Sequence, residues 1–204
     1  MQAVMRKVFW IVSLLGGLLS GCTGDQAPKE EILSVEETGG EEQTNTLELN
    51  YEEVMLPERH YLVFQQELSL LDMEGFLAEE SSALRQAARA AGVAPLGPPT
   101  SLFYKWDTDT GRGEAAVALP VTAETKLPPY VTISLPATKA LSLEFAGSYD
   151  RLSAMHFALD AEMQRRGYRA QMPSIEEYPV GPQDSVEEAE FRTRILYPIQ
   201  APVE

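Results

Sequence analysis

The stretch "LPATKALSLEFAGSY", residues 135–149, carries the pattern from which the fold can be worked out. Its apolar residues Leu141, Leu143 and Phe145 alternate with small or polar ones, as in a strand with one buried face. Ser148 belongs to the residue types that cap helices. After it comes an apolar stripe at helical spacing, formed by Leu152, Met155, Leu159 and Met163. The stretch therefore predicts a strand that leads directly into a helix.

The first half of the folded region shows the same order of patterns. Residues 47–51 and 61–64 have the composition of strands, and a helical stripe runs between Asp72, a possible N-cap, and Gly92, a stop signal. In both halves the helix pattern is followed by two strand patterns joined by a turn, the second of these turns at residues 181–184. The chain therefore predicts a strand–helix–strand–strand unit that occurs twice.

Three ordered markers support this duplication, with halves of about 47–122 and 130–200. The matches are Leu56-Pro57 with Leu135-Pro136, Pro99 and Tyr104 with Pro173 and Tyr178, and Leu119-Pro120-Val121 with Tyr197-Pro198-Ile199. Each half is too small to bury both faces of its own sheet. We expect an α+β fold, in which a curved antiparallel sheet has two helices on one face and a concave cleft on the other. Clefts at such junctions are common ligand sites.

The N-terminus has the pattern of a secretory signal. Basic residues precede an apolar run over residues 8–19, which is shorter than the roughly 20 residues that span a bilayer. The run ends in "LSGC", residues 19–22, which resembles a bacterial lipobox, and Cys22 is the only cysteine of the chain. We predict a lipoprotein signal peptide over residues 1–21 and lipidation of Cys22 with acyl chains such as palmitate. The alternative is an ordinary signal peptide with a coincidental cysteine.

Lipidation at this position predicts a protein held at a membrane surface outside the cytoplasm, because two or more acyl chains anchor a protein stably. In a Gram-negative bacterium, Thr23 after the cysteine is typical of the outer membrane. Residues 22–46 are rich in glutamate, glycine and threonine and are too polar to bury a core, so we interpret them as an acidic tether. Residues 47–204 suit one domain. The formal net charge of −15 argues against nucleic-acid binding.

The ordered set of motifs resembles the GyrI-like small-molecule-binding domain, from about Tyr51 to Ile199. The motifs are "GPP" before Tyr104, "LPV", "LPATKALSLEFAGSY", "EEY" and "YPI". This fold is found in effector domains of some multidrug-sensing transcription regulators. The resemblance implies a duplicated fold with a pocket between its halves. It also implies that the acidic residue of an E-x-Y motif, here Glu176 with Tyr178, meets cationic and often aromatic ligands.

Other functions of that family are not expected to carry over. A regulator needs a helix-turn-helix, and the segment between Cys22 and Leu47 has neither the length nor the periodicity for one. Secretion would also separate the protein from DNA and from gyrase, the target of the family's founding inhibitor. The expected partners are a lipophilic cation or aromatic molecule and, through the lipid on Cys22, the membrane. No cofactor is expected.

The predicted ligand site is centred on Glu176. Glu176 and Tyr178 alternate along a predicted strand and therefore point to one face, which we expect to be the concave one. The duplication places Tyr104 across from Tyr178 and Leu102 across from Glu176. Trp106 shares the strand parity of Tyr104 and is expected on the same face. The predicted site is thus Glu176, Tyr178, Tyr104 and Trp106; the alternative is that Glu176 lies on a hydrated rim and binds nothing.

Three functions remain open from the sequence. The first is a lipoprotein that binds a small cationic or aromatic molecule. The second is a hydrolase of small electrophilic molecules, as some GyrI-like proteins are, with Glu176 as general base and Tyr178 or Tyr104 as hydrogen-bond donor. The third is an interaction module without ligand. No G-x-S-x-G, H-E-x-x-H or P-loop motif is present, and His60 and His156 have no metal-ligand spacing.

Overall fold

The computed structural model describes residues 49–200. The strands are β1 Tyr51–Leu56, β2 Arg59–Ser69, β3 Thr100–Asp107, β4 Arg112–Val121, β5 Val131–Leu135, β6 Thr138–Ala146, β7 Arg169–Ala170, β8 Ser174–Val180 and β9 Arg192–Gln200. The two helices are α1 Met73–Ala90 and α2 Leu152–Arg166. The expected signal peptide, lipidated Cys22 and tether lie outside the described residues.

All nine strands belong to antiparallel pairings, with β8 and β3 at the centre of the sheet. The order across the sheet is β1-β6-β9-β8-β3-β4-β2-β5, and the short β7 pairs with β9. The predicted α+β fold, an open antiparallel sheet with two helices, is confirmed.

The first strand of each half is exchanged with the other half. Strand β1 pairs with β6, and β5 pairs with β2, so neither strand pairs with the strand that follows it in the chain. The prolines at the two connections, Pro57 and Pro136, lie where the chain crosses from one half to the other. Each half of the sheet is therefore extended by a strand from the other half. The β1–β6 and β2–β5 pairings join the two halves in addition to the central β3–β8 pairing.

The ends of the helices follow the local sequence. Asp72 and Ser148 lie at the starts of helical segments, although neither side chain makes a capping hydrogen bond. Gly92 and Gly167, just past the ends of α1 and α2, have φ values of 70° and 71°. This left-handed conformation is accessible to glycine without a steric cost and is a common way for a helix to end.

Both helices lie on the same face of the sheet. Leu84 of α1 packs over Leu62 and Val117, and Leu159 of α2 packs over Leu141 and Ile195. Each fully buried leucine contributes roughly 1.5–3 kcal/mol to folding. Because α1 covers β2 and β4 and α2 covers β6 and β9, the central strands β3 and β8 lie between the two helices.

The helix-free face is a second apolar core. Tyr61, Leu102, Ile175 and Leu196 are at most 2% exposed there, and partly buried Tyr104 is among the side chains that pack against them. This face is filled by its own side chains around Leu102 and Ile175. Within residues 49–200 no helix is long and apolar enough to cross a membrane.

Candidate functional site

Glu176 projects toward the helices from the central strand β8. In the ladder it pairs with Ser101 of β3 on one side and with Ile195 of β9 on the other. Residues paired across antiparallel strands share a face, and Ile195 packs under α2. The expectation that Glu176 lies on the face opposite the helices is therefore wrong: the carboxylate lies on the helix face, toward α2.

The Glu176 carboxylate is buried and both of its oxygens are paired. Its Oε1 atom lies 2.5 Å from Nε2 of His156, and its Oε2 atom accepts a hydrogen bond from the hydroxyl of Tyr178. Only 4% of Glu176 is exposed. An unpaired carboxylate at this depth would cost several kcal/mol, so these two contacts offset most of the penalty of burial. The alternative of a hydrated rim position does not apply.

His156 comes from α2 and is the residue that the sequence analysis did not assign to the site. Its Nδ1 atom lies 2.9 Å from the hydroxyl of Tyr197, and its ring makes an edge contact with Phe103 at 6.4 Å between centroids. The side chain is 24% exposed, against 5% for Glu176. His156 follows Met155, which belongs to the buried stripe of α2. This neighbouring position is the sequence feature from which the orientation of His156 toward the sheet could have been predicted.

Tyr178 links the carboxylate to the other half of the domain. Its hydroxyl donates to Glu176 and lies 3.1 Å from Oγ of Ser101, which can donate in turn. Burial, together with the Glu176 charge, holds the pKa of Tyr178 well above its usual value. The hydroxyl therefore stays protonated and remains a donor to the carboxylate at neutral pH.

Tyr197 extends the polar chain beyond His156. Burial raises the pKa of Tyr197, and the nearby Asp160 and Glu176 carboxylates raise it further. Burial also raises the pKa of Asp160. The result is a continuous series of polar side chains across the middle of the sheet, from Tyr197 through His156, Glu176 and Tyr178 to Ser101.

Aromatic rings surround this series. Tyr149 contacts the ring of Tyr178 edge-on, with centroids 5.5 Å apart, and it packs against Phe191 at 5.1 Å. Burial raises the pKa of Tyr149 to about 12, with smaller effects from Asp184 and Glu176. A Cβ atom on Gly181 would lie 2.9 Å from the Tyr149 hydroxyl, so the absence of a side chain there gives the ring its space.

Two of the four predicted site residues, Tyr104 and Trp106, lie on opposite faces of the sheet. The register of β3 shifts between Phe103 and Lys105, which inverts the strand parity beyond that point. Trp106 therefore lies on the helix face, with its ring 6.0 Å from that of Phe103, and is 56% exposed. Tyr104 packs against the helix-free core. The expectation that Trp106 and Tyr104 share a face is wrong, because simple alternation does not foresee a bulge.

The partner of Glu176 across the central ladder also differs from the expected one. Ser101 pairs with Glu176, and Leu102 pairs with Ile175 on the opposite face. The sequence comparison aligned Leu102 with Glu176, but the antiparallel register shifts the pairing by one residue. Consequently the half that lacks the glutamate offers a small hydroxyl at this position rather than a hydrocarbon side chain.

The second glutamate of "EEY" is paired on the helix-free face. Glu177 is 8% exposed, accepts a hydrogen bond from Arg59 and lies 3.6 Å from Nη1 of Arg194. Arg194 also contacts Glu144, at 3.1 Å. Two consecutive carboxylates are thus both buried, on opposite faces of one strand, with different partners.

The residues described include no group of three or more His, Cys, Asp or Glu side chains arranged to hold a metal ion. A cavity of about 420 Å³ lies at the edge of β6, β8 and β9, where Pro179, Arg192 and Thr193 are among its walls. None of the predicted site residues lines that cavity. The groups around the buried carboxylate of Glu176 are an imidazole, phenols and aromatic rings.

Comparison with protein families identifies the domain. The GyrI-like small molecule binding domain matches residues 49–200, which is most of the chain and all of its described part. No protein with a curated function matches the sequence.

Solved structures share the fold at low sequence identity. EcmrR in a complex with DNA has a TM-score of 0.69 and 15% identity, over 78% of this chain and 60% of EcmrR, so this chain spans less than two thirds of that protein. The isolated C-terminal domain of EcmrR has a TM-score of 0.65 and 15% identity, over 76% of this chain and all of that domain. SAV2435 bound to tetraphenylphosphonium has a TM-score of 0.57 and 14% identity, over 74% of this chain and 94% of SAV2435.

Proposed function

This chain is a member of the GyrI-like small-molecule-binding family, and we propose that it binds a small aromatic cation at Glu176 while a lipid on Cys22 holds it at a membrane surface. The observation that carries the proposal is a buried carboxylate among aromatic rings. An aromatic cation matches both features, since its charge can replace the internal partner of Glu176 and its rings can contact Tyr149, Tyr178 and Phe103. Cation–π contacts add about 0.5–2 kcal/mol each.

The likeness to SAV2435 supports the choice of cation. That protein is bound to tetraphenylphosphonium, a permanent cation with aromatic rings. At 14% identity the likeness extends only to the fold, so the ligand is taken here as a probe rather than as the natural compound.

The proposed location comes from the sequence. The lipobox-like residues 19–22 and the acidic segment that follows would place the domain outside the cytoplasm, on the outer membrane if the source is Gram-negative. In that compartment the domain would act as a sensor, carrier or sequestering protein, and nucleic acid is not among the proposed partners.

The binding proposal is tested with a protein that starts at Thr46 and so retains every strand and helix described. Thermal unfolding is measured with tetraphenylphosphonium, other lipophilic cations and neutral aromatic compounds of similar size. A ligand at 100 times its Kd stabilises the folded state by about 2.7 kcal/mol, which a thermal shift detects. Each cation that binds is measured again with Glu176→Gln.

The matched control is Glu177→Gln, which changes the neighbouring buried glutamate on the helix-free face. The proposal expects stabilisation by cations but not by the neutral compounds, lost in Glu176→Gln and kept in Glu177→Gln. Equal shifts in Glu176→Gln and wild type would contradict it. Absence of any shift would favour the third function, a protein-interaction module.

A second candidate function is favoured by the contact between His156 and Glu176. A carboxylate hydrogen-bonded to an imidazole can take up a proton from water, and the Tyr178 hydroxyl is a donor that can stabilise developing negative charge. The reaction would be hydrolysis of a small electrophilic molecule. Turnover of ester or epoxide substrates by the wild type that is lost in Glu176→Gln would establish this activity; turnover unchanged in that variant would exclude it.

A further inference from the structure

Two side chains occupy the oxygens of the Glu176 carboxylate. The Glu176 side chain is 5% exposed, and its Oε1 atom is bonded to Nε2 of His156, whose own side chain is 24% exposed. The other oxygen is bonded to Tyr178. An incoming cation can therefore reach a carboxylate oxygen only by displacing the imidazole or the phenol.

We propose that His156 is a displaceable cap on the ligand site, an internal partner of Glu176 whose place an incoming cation takes. This inference rests on the proposed function, because it concerns the same carboxylate. His156 satisfies Glu176 in the empty protein, and a ligand that gives Glu176 a new counter-charge releases the imidazole toward solvent.

His156 is more exposed than the carboxylate that it covers, at 24% against 5% of the side chain. Its ring is held by one hydrogen-bond partner on each nitrogen, Glu176 at 2.5 Å and Tyr197 at 2.9 Å, and by an edge contact with Phe103, so a ligand has to compete with these three contacts. The symmetry-related place in α1 lies near Ser81, at the same separation in sequence as the helix-terminating Gly92 and Gly167. The first half thus has no equivalent cap.

The cap favours cationic ligands over neutral aromatic ligands. A cation must replace a short imidazole–carboxylate contact, so a neutral aromatic compound gains nothing that offsets the loss. The apparent Kd equals the intrinsic Kd divided by the fraction of molecules in which the site is open, so a cap that is open in about a tenth of molecules weakens binding about tenfold.

The test measures the Kd for tetraphenylphosphonium with wild type, His156→Ala and His156→Gln. His156→Ala opens the site and is expected to bind about tenfold more tightly if the wild-type cap is open in about a tenth of molecules. His156→Gln keeps a hydrogen-bond donor for Glu176, so it guards against misfolding caused by an unpaired carboxylate. His60→Ala is the matched control, because His60 is the other of the two histidines of the chain. Its Nδ1 atom lies 2.7 Å from Oγ of Ser134, away from the site.

Nuclear magnetic resonance of the two imidazole rings distinguishes a displaceable cap from a purely structural role of His156. On addition of tetraphenylphosphonium the ring signals that are absent from His156→Ala should shift to those of a solvated histidine, and the His60 signals should not. Equal or weaker binding in both His156 variants, or binding that leaves the His156 signals unmoved, overturns the cap while the proposed function stands. If wild type and both folded variants bind no cation, the proposed function fails and the cap fails with it. Binding by the His156 variants alone supports the cap.

Discussion

Nε2 of His156 lies 2.5 Å from Oε1 of Glu176, which joins a helix residue to the buried carboxylate of the central strand. This contact explains how a carboxylate can be almost fully buried before any ligand is present. It also means that an external cation would have to take the place of His156 to contact Oε1 of Glu176.

Replacing Tyr178 with phenylalanine should destabilise the fold. The change removes the donor to Oε2 of Glu176 and leaves that oxygen buried without a partner, which costs about 1–3 kcal/mol. Urea unfolding at neutral pH measures the loss. Tyr104→Phe is the control, since Tyr104 packs on the helix-free core and does not touch Glu176. Equal stability of the two variants would show that the Tyr178 hydroxyl does not support the carboxylate.

Gly181→Ala should move Tyr149 and weaken ligand binding. The new Cβ atom would lie 2.9 Å from the Tyr149 hydroxyl, so the ring must shift away from its edge contact with Tyr178. Overpacking of this kind costs about 1–3 kcal/mol. The Kd for tetraphenylphosphonium and the midpoint of urea unfolding are measured together.

Gly75→Ala provides the matched control for this change. A Cβ atom on Gly75 meets nothing within 4 Å, and alanine in a helix is favoured over glycine by up to about 1 kcal/mol. Gly75→Ala should therefore stabilise the fold and leave the Kd unchanged. Tightened or unaltered ligand binding in Gly181→Ala would contradict a role for the Tyr149 position.

The domain should lose stability in strong alkali, and Tyr149 should account for part of the loss. Its pKa is raised to about 12 in the folded state, whereas an unfolded tyrosine has a pKa of about 10. Between these values the unfolded chain releases the proton and the folded one keeps it, so unfolding becomes more favourable as pH rises. The stabilising effect of the shift is complete below about pH 10 and is lost by about pH 12.

Urea unfolding at several pH values across this window provides the measurement. Tyr149→Phe has no group to titrate at this position and should show a shallower decline in the free energy of unfolding than the wild type. The buried Tyr178 and Tyr197 keep titrating in both proteins, so a residual slope is expected. Identical slopes in the two proteins would show that Tyr149 is not held in the protonated form by its surroundings.

Changing Cys22 to serine should release the protein from the membrane. The prediction follows from residues 19–22 alone and from the need for covalent lipid to hold an acidic protein at a bilayer. Expression in a bacterium with labelled palmitate should label the wild type and not Cys22→Ser, and fractionation should move the variant out of the detergent-extracted membrane fraction. Labelling that persists in Cys22→Ser would place the acylation elsewhere or exclude it.

The Glu176 site shows which of its features local sequence patterns predict and which they do not. The residues Glu176 and Tyr178 were predicted from a resemblance in the E-x-Y motif, and the structure does bring them together through a hydrogen bond. The face they occupy was predicted wrongly, because alternation says which residues share a face and not which face a helix covers. His156 was left out because its contact with Glu176 joins a helix and a strand that are separate in sequence.

The order and type of the main strands and helices could be predicted from the sequence, since alternation, helical spacing and the stop signals at Gly92 and Gly167 act between near neighbours in the chain. Three features became visible only in the folded molecule: the exchange of β1 and β5 between the halves, the bulge that separates Trp106 from Tyr104, and the contact of His156 with Glu176. These features depend on strand register and on helix packing, which balance contacts between distant residues. Local patterns carry no record of that balance, because the same alternation is compatible with more than one register and with either face of the sheet.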